Sequence, residues 1–405
     1  MKPPLSAERL TYRDPATGAE ITQWTQAPGK NHHLYFTSHS VTADGRWLVF
    51  LSDRDGHPNL YAIERGDGSI RQLSDNRCGI LRSYVYPQGG LSGLGKASPC
   101  LDPFRNRLLY IRDDQVFRVD LDAPDAGEQR LCSLPGGWYG GYTHVAPDGK
   151  TFCVPCTDPR AFGDEKTQWE QLNQVPSRMA QLGLCTRLVF MDVESGAARI
   201  AAEVPFWVTH VQFDPAGSGR MVFNLEGHDK GSPLPDRIWC LETDGSFRKI
   251  SAEAGGEWRT HENWAPDGES IVYHGLRNGR SFVAARTWEG KLLHETAIGG
   301  VDFWHATGFP DGRRMVLDRC DGMISLLDPC AEQPDQRLVD LCRHDTTTED
   351  QDAHAHPLAC LDGRSIVFTS NRSGHCQIYE VPVPNAMKKN QAGSSAVTGL
   401  CHADH

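Results

Sequence analysis

A turn followed by an apolar run recurs along the whole chain, and a repeat of this kind constrains the fold more than any composition does. The copies are TADGRWLVFLS at 42–52, LDPFRNRLLYIR at 101–112, APDGKTFCVPC at 146–156 and FDPAGSGRMVFNL at 213–225, then APDGESIVYHG at 265–275, FPDGRRMVLDR at 309–319 and CLDGRSIVFTS at 360–370. Each carries an aspartate: Asp44, Asp102, Asp148, Asp214, Asp267, Asp311 and Asp362, spaced by 58, 46, 66, 53, 44 and 51 residues. Further alternating runs follow most of them, as in RIWCLETDGSFRKIS, with Gly, Asp or Pro between. Period-two alternation broken by such turns marks short antiparallel strands. One four-stranded meander cannot bury both of its faces, but seven arranged radially can. The chain therefore reads as all-β, a seven-bladed β-propeller spanning 1–385. The run LTYRDPATGAEITQWT (10–25) resembles a strand pair lacking its two partners, and is expected to complete the last blade and close the ring.

Two stretches depart from the repeat. Residues 160–183 carry helix formers with Trp169, Leu172, Met179 and Leu182 as the apolar positions, which predicts an inserted helix overhanging one mouth of the ring and explains the spacing of 66. The tail, 386–405, is expected to be disordered.

A histidine precedes the anchoring aspartate in six of the seven repeats, by four to eight residues: His39, His144, His210, His261, His305 and the pair His354 and His356. The second repeat has Lys96 instead. In a propeller the first strand of each blade lines the central channel, so one shared register would gather these side chains at a single mouth, the default position for a site. The densest cluster is Gln351-Asp-Ala-His354-Ala-His356, in which strand alternation would turn both imidazoles the same way. With His305 from the neighbouring blade, the set offers three imidazoles and a carboxamide oxygen to a divalent metal. No thiolate is among them, so a borderline or hard ion such as Mn²⁺ suits the set better than structural zinc. His39, Lys96, His144 and His210 are then candidate substrate contacts.

These residues resemble the oligogalacturonate lyases, the cytoplasmic pectin-catabolic propellers of polysaccharide lyase family 22. The likeness runs from SHSVTADGRWLVFLSDRDG to SNRSGHCQIYEV and is most specific in RIWCLETDG, THENWAPDG, DFWHATGFPDG and Q-x-x-H-x-H. It implies that Gln351, His354, His356 and His305 hold a metal, usually manganese, that His261 is the Brønsted base and that Arg237 is the catalytic arginine. The implied reaction is β-elimination on a short uronic-acid oligosaccharide such as digalacturonate. A lyase for another uronide, such as glucuronan or ulvan fragments, and a non-catalytic binding propeller are the alternatives.

Composition narrows the remaining classes. The net charge is −11 with Lys and Arg scattered, so a nucleic-acid partner is not expected. No run of eighteen apolar residues occurs, and MKPPLSAERLTYRDPATG lacks an apolar segment, so neither a membrane helix nor a secretory signal is expected. Thirteen irregularly spaced Cys suit reduced thiols in a cytoplasm, and the protein is expected to be a monomer or weak homo-oligomer. Gly90-Leu-Ser-Gly-Leu-Gly95-Lys96 imitates a phosphate loop but runs into Ala97 and Pro99, with no helix to follow. Cys153 and Cys156 have redox spacing inside a predicted strand with no second pair, and packing explains them better.

Overall fold

The computed structural model describes residues 3–79, 81, 93–96, 99–134, 136–162, 174–227, 236–253, 257–298, 300–331, 337–348 and 353–384. Its strands form seven antiparallel sheets, each built in chain order apart from the last. The fifth and sixth blades show the regular pattern: Glu257–Trp264, Ile271–Arg277, Arg280–Arg286 and Leu292–Ala297, then Phe303–Gly308, Met315–Arg319, Met323–Leu327 and Leu338–Arg343. The last blade combines the two ends of the chain. Leu358–Ala359, Ser365–Ser370 and Gln377–Pro382 are followed in the sheet by Glu20–Gln23 and Leu10–Arg13, with Thr22 opposite Glu380 and Gln23 opposite Tyr379.

The recurring aspartates have one physical job. In all seven repeats the side-chain Oδ1 accepts the backbone N–H two residues on: Arg46, Phe104, Lys150, Ala216, Glu269, Arg313 and Arg364 donate at 2.7–3.2 Å. An Asx turn of this kind starts the reversal between the first and second strands. The next residue of the common Asp-Gly form takes a left-handed backbone, φ +73° at Gly45 and +70° at Gly312, which glycine adopts without a Cβ clash.

Packing closes the ring. Among the described residues, seven apolar clusters are each shared by two successive blades, and one of them fills the seam between last and first. There Trp24, Cys360, Val367 and Ile378 pack on Val41, Leu48, Phe50, Tyr61 and Ile63. Each large apolar side chain so buried contributes on the order of 2 kcal/mol.

The insertion lies between Thr151–Thr157 and Thr186–Asp192 of the third blade. Its described residues form a 3₁₀ turn, Pro159–Ala161, and two turns of α-helix, Val175–Leu182, ended by Gly183 at φ +60°. Trp169 and Leu172 lie outside the described residues. Val175 and Met179 are buried against Phe162, Leu184 and Trp207, whereas Leu182 points to solvent, 56% exposed, because it falls on the far side of so short a helix. The expected disordered tail also lies outside the described residues. Among those residues no helix is long and apolar enough to cross a membrane, and all twelve cysteines are free thiols.

Candidate active site and metal centre

One mouth of the channel opens into a cavity of about 550 Å³, walled by the fourth to seventh blades, with Tyr35 contributed by the first. Into it project His210, Arg237, His261, His305, His354 and His356. Strand irregularities aim several of these groups. The pairing between Glu257–Trp264 and Ile271–Arg277 slips between Thr260 and Asn263, so His261 and Glu262 share one partner position. His261 sits in this bulge at φ +50°, a left-handed backbone that a non-glycine residue adopts only when its surroundings hold it there. A second bulge, between Phe303 and His305, leaves Trp304 at the rim, 44% exposed, and turns His305 inward.

His305, His354 and His356 are all buried, and one ring nitrogen from each lies within 4.8 Å of the others. The His305 Nδ1–H donates to Asp318 Oδ2 at 2.6 Å, and its backbone N–H donates to Asp318 Oδ1 at 2.5 Å. That contact fixes the tautomer and leaves the Nε2 lone pair for a ligand, as a carboxylate does behind many metal-bound histidines. Burial works to raise the Asp318 carboxyl, but the His305 contacts outweigh it and hold it below its ordinary value. His356 lies at φ +43° just before Leu358–Ala359, and its carbonyl accepts from His33 Nε2–H at 2.8 Å. The Thr369 hydroxyl bonds the other nitrogen of His33 at 2.7 Å. Burial, then the neighbouring imidazoles, push His356 well below the usual imidazole value, so its lone pair is available at neutral pH. Three buried imidazoles, one of them oriented by a buried carboxylate, fit a divalent transition ion.

A second group stands beside the first. Arg237, immediately before the strand Ile238–Leu241, donates through Nε to Glu262 Oε2 at 2.7 Å, and its Nη2 lies 3.3 Å from His210 Nδ1. Glu226 Oε2 lies 3.7 Å from Nη1. Burial opposes charge on Glu262, yet Arg237 and His210 overcome it and hold the carboxyl at about 2. His261 Nδ1 is 2.8 Å from His274 Nε2, and its ring centre is 4.5 Å from that of His305. Burial, reinforced by the surrounding imidazoles and Arg237, places His261 well below its ordinary value. A neutral imidazole, His261, thus shares the cavity with a fixed guanidinium and the three-histidine cluster.

The structure does not gather every candidate. His39 and His144 line a separate cavity of about 90 Å³ with Phe36, Asp102 and Gln212. His144 Nδ1 is taken up by the backbone N–H of Phe213 at 3.2 Å. Counting residues back to a turn does not fix a side chain's height in the channel: His39 comes after Asn31–His33, the first strand of its blade, whereas His144 lies within the strand His144–Val145. Lys96 ends the 3₁₀ turn Gly93–Lys96, and its side chain lies outside the described atoms, as does the whole of Gln351. His354 and His356 do share the cavity, but from the segment ahead of the strand rather than by strand alternation. The sequence reading missed Asp318, His274, Glu226, Tyr35 and His33. For Asp318 and His274 a signal existed: each is a polar residue directly after an apolar run in a second strand, in MVLDR and IVYHG.

Fold and site together define a β-propeller whose channel mouth sets a neutral imidazole beside a buried guanidinium and a histidine cluster able to share one cation. The family model for oligogalacturonate lyase matches residues 3–387, and the chain belongs to that family, which makes it an enzyme of the lyase class. Oligogalacturonate lyase from Dickeya dadantii is 25% identical over 95% of this chain and 98% of its own. The oligogalacturonide lyase of Pectobacterium atrosepticum is also 25% identical, over 93% and 96%. A solved oligogalacturonate lyase in complex with manganese shares the fold at a TM-score of 0.79 and 24% identity, over 95% of this chain and 98% of that one. The Vibrio parahaemolyticus enzyme does so at 0.78 and 24%, over 95% and 99%.

Proposed function

We propose that the protein cleaves short oligogalacturonides, digalacturonate and its unsaturated form, by β-elimination to a 4,5-unsaturated monouronate. The observation that carries this reading is the neutral His261 held between Arg237 and the His305–His354–His356 cluster. Family membership and the manganese complex of a relative support Mn²⁺ as the ion, held by those three imidazoles with Gln351 as a fourth ligand. Such an ion, when bound, withdraws charge from the substrate carboxylate.

The remaining work falls to the chain. The C5 proton of a uronate lies α to an ionised carboxylate, so its removal builds up negative charge next to an existing one. Arg237, kept rigid by Glu262, offers positive charge to that carboxylate without reorganising, the kind of stabilisation that contributes most to many enzymatic barriers. His261 takes the proton at Nε2. The C5–H electron pair becomes the C4–C5 double bond, and the bond from C4 to the departing oxygen breaks. In a galacturonide, H5 and O4 are both axial and antiperiplanar, so no ring distortion is required. His210 and Lys96 are proposed as substrate contacts; His39 and His144, in the other cavity, are not. The free thiols accord with a cytoplasmic enzyme.

The test is the ultraviolet absorbance of the unsaturated uronate, followed with Mn²⁺ and a panel of uronic-acid disaccharides that includes glucuronan and ulvan fragments. His261→Ala is expected to lower kcat on digalacturonate by at least about 100-fold. Wild-type rates from that variant would remove His261 as the base, and turnover of another uronide alone would reassign the substrate.

A further inference from the structure

The nitrogen that His261 turns to the cavity depends on a residue outside the family's expected machinery. His274 lies on the second strand of the same blade, with its backbone opposite Thr260, and the bulge at His261 swings one imidazole over the other. The two rings meet at 2.8 Å, His261 Nδ1 to His274 Nε2. One of these nitrogens must carry the hydrogen and the other must accept it. If His274 donated, neutral His261 would carry its proton on Nε2 and present an N–H to the substrate, useless as a base. If His261 donates, its Nε2 lone pair faces the cavity. The surroundings favour the second arrangement, because the positive charge of Arg237, which lines the same cavity and acts on His261, repels an N–H dipole pointed into that cavity.

We infer that His274 is the positioning residue of this site, accepting the Nδ1–H of His261 and so leaving Nε2 as the only basic nitrogen toward the substrate. The inference rests on the proposed role of His261 as base. An imidazole suits the task better than the carboxylate that usually orients a catalytic histidine. A carboxylate here would stand close to Arg237, whose charge already reaches His274. It would draw the guanidinium off its post and add negative charge beside an anionic substrate. Neutral His274 orients the base without either effect, and burial, the largest influence on it, pushes it to about 3. When the substrate proton arrives on Nε2, the resulting imidazolium keeps its hydrogen bond to the His274 lone pair. The proton count is conserved and no further carrier is required.

Two variants of the full chain separate positioning from packing. In His274→Gln the amide oxygen can still accept from Nδ1; in His274→Phe the volume is filled and the acceptor is lost. With Mn²⁺ and digalacturonate, H274F is expected to lose about 100-fold or more in kcat with KM changed by about twofold at most, while H274Q stays within about tenfold of wild type. Long-range ¹H–¹⁵N spectra of the metal-free protein, with His261 assigned by its loss in H261Q, are expected to show the Nδ1–H tautomer in wild type and H274Q and its loss in H274F. An Nε2–H tautomer in the wild type, unchanged kcat in H274F, or equal losses in both variants would overturn the inference. Should no uronide be cleaved by the wild type, the elimination reading fails, and the tautomer spectra still decide the His261–His274 arrangement.

Discussion

Arg237 shows how one residue's usefulness depends on others that never touch substrate. It is 3% exposed, and a buried guanidinium is tolerable only with its charge compensated. Glu262, immediately after the proposed base, supplies most of that compensation through the 2.7 Å contact to Nε. Glu262→Gln leaves the arginine facing a neutral amide and should destabilise the fold by about 3 kcal/mol. The pH dependence of that loss follows from the sign of the shift. Glu262 is held at about 2 in the folded protein against about 4.5 ordinarily, so its stabilisation is complete above the higher value and fades only as pH falls toward the lower one. Urea unfolding at pH 6, 7 and 8 should therefore give the same wild-type-to-variant gap at each pH. A gap that grew or shrank across that range would mean that some other titrating group controls the pair.

At the scale of strands and turns, the ring depends on a join between chain ends that are far apart in sequence. Trp24 is buried at the seam, and its Nε1–H donates to Glu380 Oε2 at 2.8 Å. Removing residues 1–26 would take away this side chain and Ile21 and leave Gln377–Pro382 as a bare, apolar edge, a template for pairing with other chains. The shortened protein is expected to self-associate in size-exclusion chromatography and to melt earlier than the full chain; a monomer of unchanged melting temperature would show that the seam holds without those strands. The seven Asp-centred turns made this architecture legible, since an Asx turn needs one particular side chain at one particular place and so leaves its mark on the sequence. The site was legible only in its residue types. His261 and Glu262 would face opposite ways in a regular strand, and only the bulge lets them serve one cavity. Likewise the Phe303–His305 slip decides that His305 and not Trp304 turns inward. Alternation carries no trace of a bulge, so side-chain height and direction stayed hidden, and with them the placement of His39 and His144 in the other cavity.

Over the whole molecule, the unusual feature is how many imidazoles the fold keeps neutral. Burial pushes His33 and His39 to about 4 and His144 and His274 to about 3, and it holds His261 and His356 well below their ordinary value as well. In the unfolded chain all six would titrate near 6.5. Below that pH the unfolded state binds protons that the folded state refuses, so stability falls with pH from about 6.5 down to each folded value, at up to about 1.4 kcal/mol per pH unit for every histidine. The overall charge acts the other way. At −11 the chain repels itself at pH 7, and acidification eases that repulsion. Those charges are mostly at the surface and screened within about 10 Å at 0.1 M salt, whereas the histidines are buried and are not. The histidine effect should therefore win. Melting temperatures of the metal-free protein are expected to hold steady from pH 8 to 7 and then drop with increasing steepness through pH 6 and 5. Replacing His39 and His144 by Gln, away from the catalytic cavity, should make the drop shallower by up to two protons' worth. A melting temperature that stayed flat to pH 5, or a slope indifferent to those two substitutions, would show that the buried rings accept protons in place.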